Sequence, residues 1–172
     1  MTDSEIFEQF EKYCAFQASN EKQSRCLPAN KTDEMRTTFR SGCDPLALLN
    51  GNDSEFSSKV DFVSEVISAP REHLPPHKES PLERTHAKSI VALCIAFVAK
   101  GNYPDKQRSI YEVQALLNAP DFGKSLNKMA SCDDLAINYF LQRVSIKPED
   151  QPEHFSICQT WALKMVTAVL AV

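Results

Sequence analysis

The stretch "AKSIVALCIAFVAKG", Ala87 to Gly101, carries ten consecutive apolar residues from Ile90 to Ala99 in a chain that is otherwise polar and charged. Crossing a bilayer takes about 20 such residues, so this run is too short to span a membrane and must be covered by protein. Its setting is helical, roughly Leu82 to Lys100, with Gly101 as a C-terminal stop. The last three turns are apolar nearly all round, which marks a helix at the centre of a bundle.

The flanking sequence supplies helices that can cover it. "TDSE" opens the chain as a capping box, Thr2 with Glu5, followed by Ile6, Phe7, Phe10, Tyr13 and Cys14 at helical spacing to about Ser19. A polar stretch from Asn20 to Lys31 follows, then a shorter helix around Asp33 to Phe39. In "CDPLALLNG", Asp44 can cap, Pro45 suits a first helical position, and Asn50-Gly51 ends a short helix. From Asp53, Phe56, Val60, Val63 and Ile67 recur at helical intervals to about Ser68. Pro70, Pro75, Pro76 and Pro81 cannot lie inside a helix, so residues 69 to 81 are expected to form a long exposed loop.

Beyond the apolar run, "SIYE" at Ser109 to Glu112 reads as a second capping box. Ile110, Val113, Leu116 and Leu117 make one face before Pro120. Phe122, Leu126 and Met129 follow. Ser131 and Asp134 flank the start of a helix carrying Leu135, Tyr139, Phe140 and Val144, and "KPEDQP" breaks it. The last helix, about Glu153 to Leu170, sets Phe155, Cys158, Ala162, Met165, Val166 and Val169 on one stripe. No strand pattern recurs. The expected fold is all-α, a single bundle of about seven to eight helices with no sheet, in which residues 1–42 form an N-terminal helical extension.

Composition narrows the function classes. At 172 residues with 42% hydrophobic and 24% charged residues, the chain suits one domain with a real core. The net charge of −4 and the even spread of Lys and Arg weigh against broad nucleic-acid binding, which draws on clustered positive charge. "MTDSEIFEQF" lacks the basic and apolar regions of a secretory signal, so a cytoplasmic location is expected. The six cysteines, Cys14, Cys26, Cys43, Cys94, Cys132 and Cys158, are scattered and never form a CxxC pair, which favours free, buried thiols over a disulfide framework.

Residues with chemical potential are few. "EHLPPHKESPLERTH" gathers His73, His77 and His86 near Glu72, Glu79 and Glu83, but Pro75-Pro76 prevents a helical two-histidine site, so a solvated loop is expected there. His154, at the start of the last helix, reads as a surface residue. "DFG" at Asp121 to Gly123 stands without a glycine-rich nucleotide loop or an HRD-type loop, and no GxxxxGK[ST] or GxSxG stretch is present. No catalytic residue, cofactor or metal ligand is assigned. "RSIYEVQALLNAPDFGKSLNKMAS" has the outline of a helix-turn-helix, whose second helix would offer Lys124, Ser125, Asn127 and Lys128 to a groove; two lysines are too few to make it specific. Trp161 falls off the main stripe of the last helix, which leaves room for partial exposure, but at helical spacing a core role is expected before that of a binding anchor.

Four pieces in order resemble the all-α domain inserted in the ATPase of type IV secretion and conjugation coupling proteins. "CDPLALLNG" is similar to its NPLDLL-like start, "THAKSIVALCIAFVAK" to its central A-x-x-L-x-x-A-hydrophobic helix, "RSIYEVQALLNAPDFGKSLNKM" to its R-T-L-x-x-V-R-x-L-L segment, and "EHFSICQTWALKMV" to the serine-containing helix near its end. The similarity covers about residues 43–172. It implies a non-catalytic recognition domain facing the bacterial cytoplasm, at the inner face of the inner membrane through a larger parent protein, where it meets secretion substrates, adaptors or regulators. The ATPase part lies outside the resemblance, and no catalytic residue is carried over.

Two surfaces are therefore expected to bind protein: the loop 69 to 81, with Arg71, His73, Leu74, His77 and Lys78, and the helical hairpin 108 to 130, with Arg108, Tyr111, Lys124 and Lys128. The alternatives are a small helical DNA-binding regulator and a secreted helical effector. No membrane insertion by this chain is expected.

Overall fold

A computed structural model of the chain describes residues 44–68, 80–101 and 108–170. Among them are a 3-10 turn, Pro45–Leu48, and six α-helices: α1 (Phe56–Ser68), α2 (Pro81–Lys100), α3 (Ile110–Leu117), α4 (Phe122–Ala130), α5 (Leu135–Arg143) and α6 (Pro152–Leu170). The described residues contain no strand. Among the described residues the all-α expectation stands, with six helices and one 3-10 turn against the seven to eight helices foreseen for the whole chain. The helices expected over 2–19 and 33–39, and the loop 69–79, lie outside the described residues.

The apolar run is the middle of α2. Val91 through Ala96 are at most 1% exposed, and α1, α3, α5 and α6 all pack on the helix, α6 most extensively. Burying each large aliphatic side chain contributes roughly 1.5–3 kcal/mol, so this run anchors the bundle. The helix begins one residue earlier than proline alone suggested. Ser80 Oγ accepts from the Glu83 amide at 3.2 Å, while the Glu83 carboxylate accepts from the Ser80 amide at 3.0 Å. Pro81 then occupies the first turn, where a missing N–H costs nothing. Pro81 is thus helical, and the expected loop cannot extend to it.

α1 runs antiparallel to α2. Lys100 Nζ lies 5.0 Å from the centre of the Phe56 ring at one end, and Arg84 donates to the Ser68 carbonyl at the other, with a Lys88–Glu65 ion pair between. The helix buries nine of its residues, including Phe62 and Val66 beside the expected Phe56, Val60, Val63 and Ile67. Its buried Ser68 hydroxyl donates to the Ser64 carbonyl at 2.7 Å, the local bond that lets a serine sit in a core helix. α5 also runs antiparallel to α2, from a Lys100–Asp134 ion pair at 3.2 Å to a Ser145–His86 hydrogen bond at 3.1 Å.

α3 and α6 are joined by two glutamines. Gln159 donates to the Leu117 carbonyl at 2.8 Å, and Gln114 donates to the Thr167 hydroxyl at 3.0 Å. α6 buries Phe155, Cys158, Ala162, Val166 and Val169 as foreseen, with Met165 half-buried. Phe122 of α4 stacks on Phe155 with ring centres 6.0 Å apart.

Two of the expected starts are built differently. The short helix in "CDPLALLNG" is a single 3-10 turn, closed by Leu49 N–H to the Leu46 carbonyl at 3.0 Å. Ser109 begins α3 without any side-chain cap. Instead the Asp44 carboxylate, already accepting from the Leu46 amide at 2.8 Å, accepts from the Ile110 amide at 3.1 and 3.2 Å. One carboxylate therefore satisfies orphan amides at two helix starts, the second of them 66 residues from Asp44 in sequence.

Candidate functional site

Arg108, Tyr111, Lys124 and Lys128, expected on a hairpin surface, all stand exposed on or beside α3 and α4. Tyr111 is 64% exposed, because the face of α3 carrying Ile110, Val113 and Leu117 turns it outward. Lys124 pairs with Asp121 at 3.2 Å, and both members are well exposed, so the pair holds little energy. Lys128 is exposed one turn further on. These side chains share two consecutive helices, but no hydrogen bond or ring contact joins Tyr111 to either lysine. Arg71, His73, Leu74, His77 and Lys78 lie outside the described residues. For the DNA alternative, α4 presents Lys124, Asn127 and Lys128 outward, with Ser125 half-buried.

A second exposed feature lies on α5. Leu135 is 89% exposed and Tyr139, one turn on, is 47% exposed. Asp134 sets this phase: its carboxylate accepts from the amides of Ala136 at 2.9 Å and Ile137 at 3.1 Å. That cap turns Ile137 and Phe140 inward, so Leu135 and Tyr139, which share the opposite face, are not core residues of this helix. Tyr139 packs edge-on against Phe140, and the Arg143 guanidinium lies 5.5 Å from its ring while pairing with Asp61. Applying the cap phase to "DLAINYFLQRV" would have revealed the outward pair.

The titratable groups are mostly structural. Burial raises the Asp44 carboxyl above its ordinary value, against the pull of the Leu46 and Ile110 amides. Asp134 is held below its ordinary value: burial opposes this, and the Ile137 amide and Lys100 outweigh it. Asp53 is lowered chiefly by its hydrogen bond from Lys59. Among the described cysteines, Cys94, Cys132 and Cys158 are free. Burial drives the Cys94 thiol far up, and burial with the nearby Glu83 charge pushes Cys158 up to about 11, so neither is a thiolate nucleophile at neutral pH. Cys14, Cys26 and Cys43 lie outside the described residues.

His86 and His154, by contrast, are brought together from α2 and α6. Their rings meet edge to face with centres 5.8 Å apart, and both are half-buried. Burial first, and His154 second, hold His86 below its ordinary value. Sequence reasoning placed the first histidine with His73 and His77 and the second on the surface; their meeting depends on how α2 and α6 pack. Among the described residues no group of three or more His, Cys, Asp or Glu side chains gathers. No helix among them is long and apolar enough to cross a membrane. No known family, curated protein or solved structure matches this chain.

Proposed function

We propose that this chain is a non-catalytic recognition module that docks a protein partner: a secretion substrate, adaptor or regulator of a type IV secretion or conjugation machine. The resemblance of residues 43–172 to the all-α domain of the coupling proteins motivates the reading. The observation that carries it is the exposure of Tyr111 on α3 and of Leu135 and Tyr139 on α5, large apolar side chains on outer helices whose other faces feed one core. Aromatic side chains left in solvent beside basic ones are the composition that protein interfaces favour. In this reading Arg108, Tyr111, Lys124 and Lys128 contact the partner, and the chain works in the cytoplasm, held near the inner membrane by a larger parent protein.

The test is capture of secretion substrates or adaptors from a lysate of the source organism, with and without nuclease, using the purified chain as bait. A Tyr111→Ala, Lys124→Glu, Lys128→Glu variant that keeps the helical circular dichroism of the parent should lose most of that capture. Undiminished capture by the folded variant refutes the assignment. Capture that vanishes with nuclease turns the reading to DNA through α4, which salt-dependent binding of duplex DNA would then confirm.

A further inference from the structure

Residues 1–43 lie outside the described residues, and the first part of them carries an apolar stripe of its own. Ile6, Phe7, Phe10, Tyr13 and Cys14 recur at helical spacing over residues 2–19. A short amphipathic segment gains its stability by burying such a stripe, so this one calls for a cover. Asp3, Glu5, Glu8 and Glu11 against Lys12 make the rest of the segment acidic.

α5 offers the matching surface. Among the described residues the large apolar side chains left in solvent are Leu82, Tyr111, Leu135, Tyr139 and Ile157. Of these only Leu135 and Tyr139 sit one turn apart on one helix and so form a continuous face. Arg143, a further turn on, extends that line with a cation: it pairs with Asp61, yet its side chain stays 35% exposed. The face also lies where the described chain enters the bundle. Asp44 is fastened to the start of α3, Gly51 approaches the backbone of Ala99 and Lys100, and Lys100 pairs with Asp134, the residue before Leu135. Residues 20–43 form a tether that can reach up to about 80 Å, against a length of roughly 13 Å for α5.

We propose that residues 2–19 dock on the Leu135–Tyr139 face of α5 in the same chain, with their apolar stripe against those two side chains and their carboxylates toward Arg143. The tether favours this occupant over a free one, because it makes docking an intramolecular event with an effective concentration on the order of 1 mM. The docking stands apart from the recognition reading, but its consequence rests on that reading. A partner that takes Leu135 and Tyr139 must displace the segment, and its apparent affinity falls with the fraction of molecules whose face is already covered.

The test is a full-length chain carrying a photoreactive benzophenone amino acid in place of Leu135, a position exposed enough to accept it. Irradiated at low micromolar concentration and digested for mass spectrometry, it should give cross-links from position 135 to residues 2–19 of the same chain. Phe7→Asp combined with Phe10→Asp should cut that yield about tenfold, because two aromatic contacts are lost. Arg143→Gln should cut it about twofold, the weight of an exposed ion pair. Both variants should keep the helical circular dichroism of the parent. Adducts to a second copy, adducts confined to other parts of the chain, no adduct at all, or an undiminished yield in the Phe7, Phe10 variant each overturn the proposal. Should a variant fail to fold, NMR of the parent chain decides: the Tyr139 ring must show contacts to a phenylalanine of residues 2–19, and their absence overturns it. Neither readout needs a partner, so this docking and the recognition reading fail separately.

Discussion

At its C-terminal end α2 is tied down by charge and backbone: Lys100 pairs with Asp134, which caps α5, while Gly51 passes close against the backbone of Ala99 and Lys100. Asp44, seven residues before Gly51 in the chain, caps α3, the helix that follows α2. At its N-terminal end α2 has an exposed Ser80–Glu83 capping box, an exposed Leu82 and the half-buried His86 against His154. Carboxylates that accept backbone amides leave the first end few alternative arrangements. The second end is set by packing, with a solvent-facing capping box in place of carboxylate contacts between elements. Hydrogen bonds between distant elements concentrate at the first end, and ring-against-ring packing at the second.

The largest test of that contrast lies between the two ends. Ile95→Ala removes a fully buried side chain from the centre of α2 and should cost about 3 kcal/mol in urea unfolding, whereas Leu82→Ala at the exposed end should stay within about 0.5 kcal/mol. Similar losses at both positions would erase the distinction. Next in size, Asp44→Ala strands the amides of Leu46 and Ile110 together and should cost about 2 kcal/mol, with Asp44→Asn recovering part of it. A loss no larger than that of an ordinary surface substitution would show that water replaces the carboxylate at both helix starts.

Smaller again is the comparison of single caps. Asp134→Ala should cost about 1.5 kcal/mol, since it removes two amide contacts and the Lys100 pair, and Ser80→Ala about 0.8 kcal/mol. The reverse order in chemical denaturation would mean that the N-terminal end is the better anchored one. The smallest effect is in pH. His86 is held below its ordinary value of 6.5, so the unfolded chain binds its proton more tightly. The stability this contributes is present above 6.5 and is lost as pH falls through the lowered folded value. Unfolding midpoints measured from pH 7.5 to 5 without metal should therefore decline on the acid side. His86→Gln should flatten that decline, and an unchanged slope would show that other groups carry it.

Particular residues show how much was legible beforehand. The stripe Phe155, Cys158, Ala162, Val166 and Val169 and the run Ile90 to Ala99 are both where hydrophobic spacing puts them, because burial of a helix face is a property of the helix's own sequence. Leu135 was misleading: apolar residues at helical spacing include the outward one at a first-turn position, and only the Asp134 cap distinguishes it. Ser109 matched a capping pattern yet caps nothing, because a half-buried carboxylate from far upstream reached the Ile110 amide instead. Arg108, Tyr111, Lys124 and Lys128, expected to contact a protein partner, stand in solvent; their exposure is as much as local periodicity can tell.

Read alone, the 172 residues were enough for a helical bundle around "SIVALCIAFVA", for most helix limits and for three free thiols among the described residues, since periodicity, capping residues and length act over a few neighbouring positions. Packing alone established that Asp44 serves α3, that Lys100 meets Asp134, and that His86 faces His154 with Ser145 beside it. Each of those contacts joins groups at least 34 residues apart, as Lys100 and Asp134 are. No local pattern encodes them: which side chains meet across helices depends on how apolar faces interlock, and that is decided only when the whole core closes.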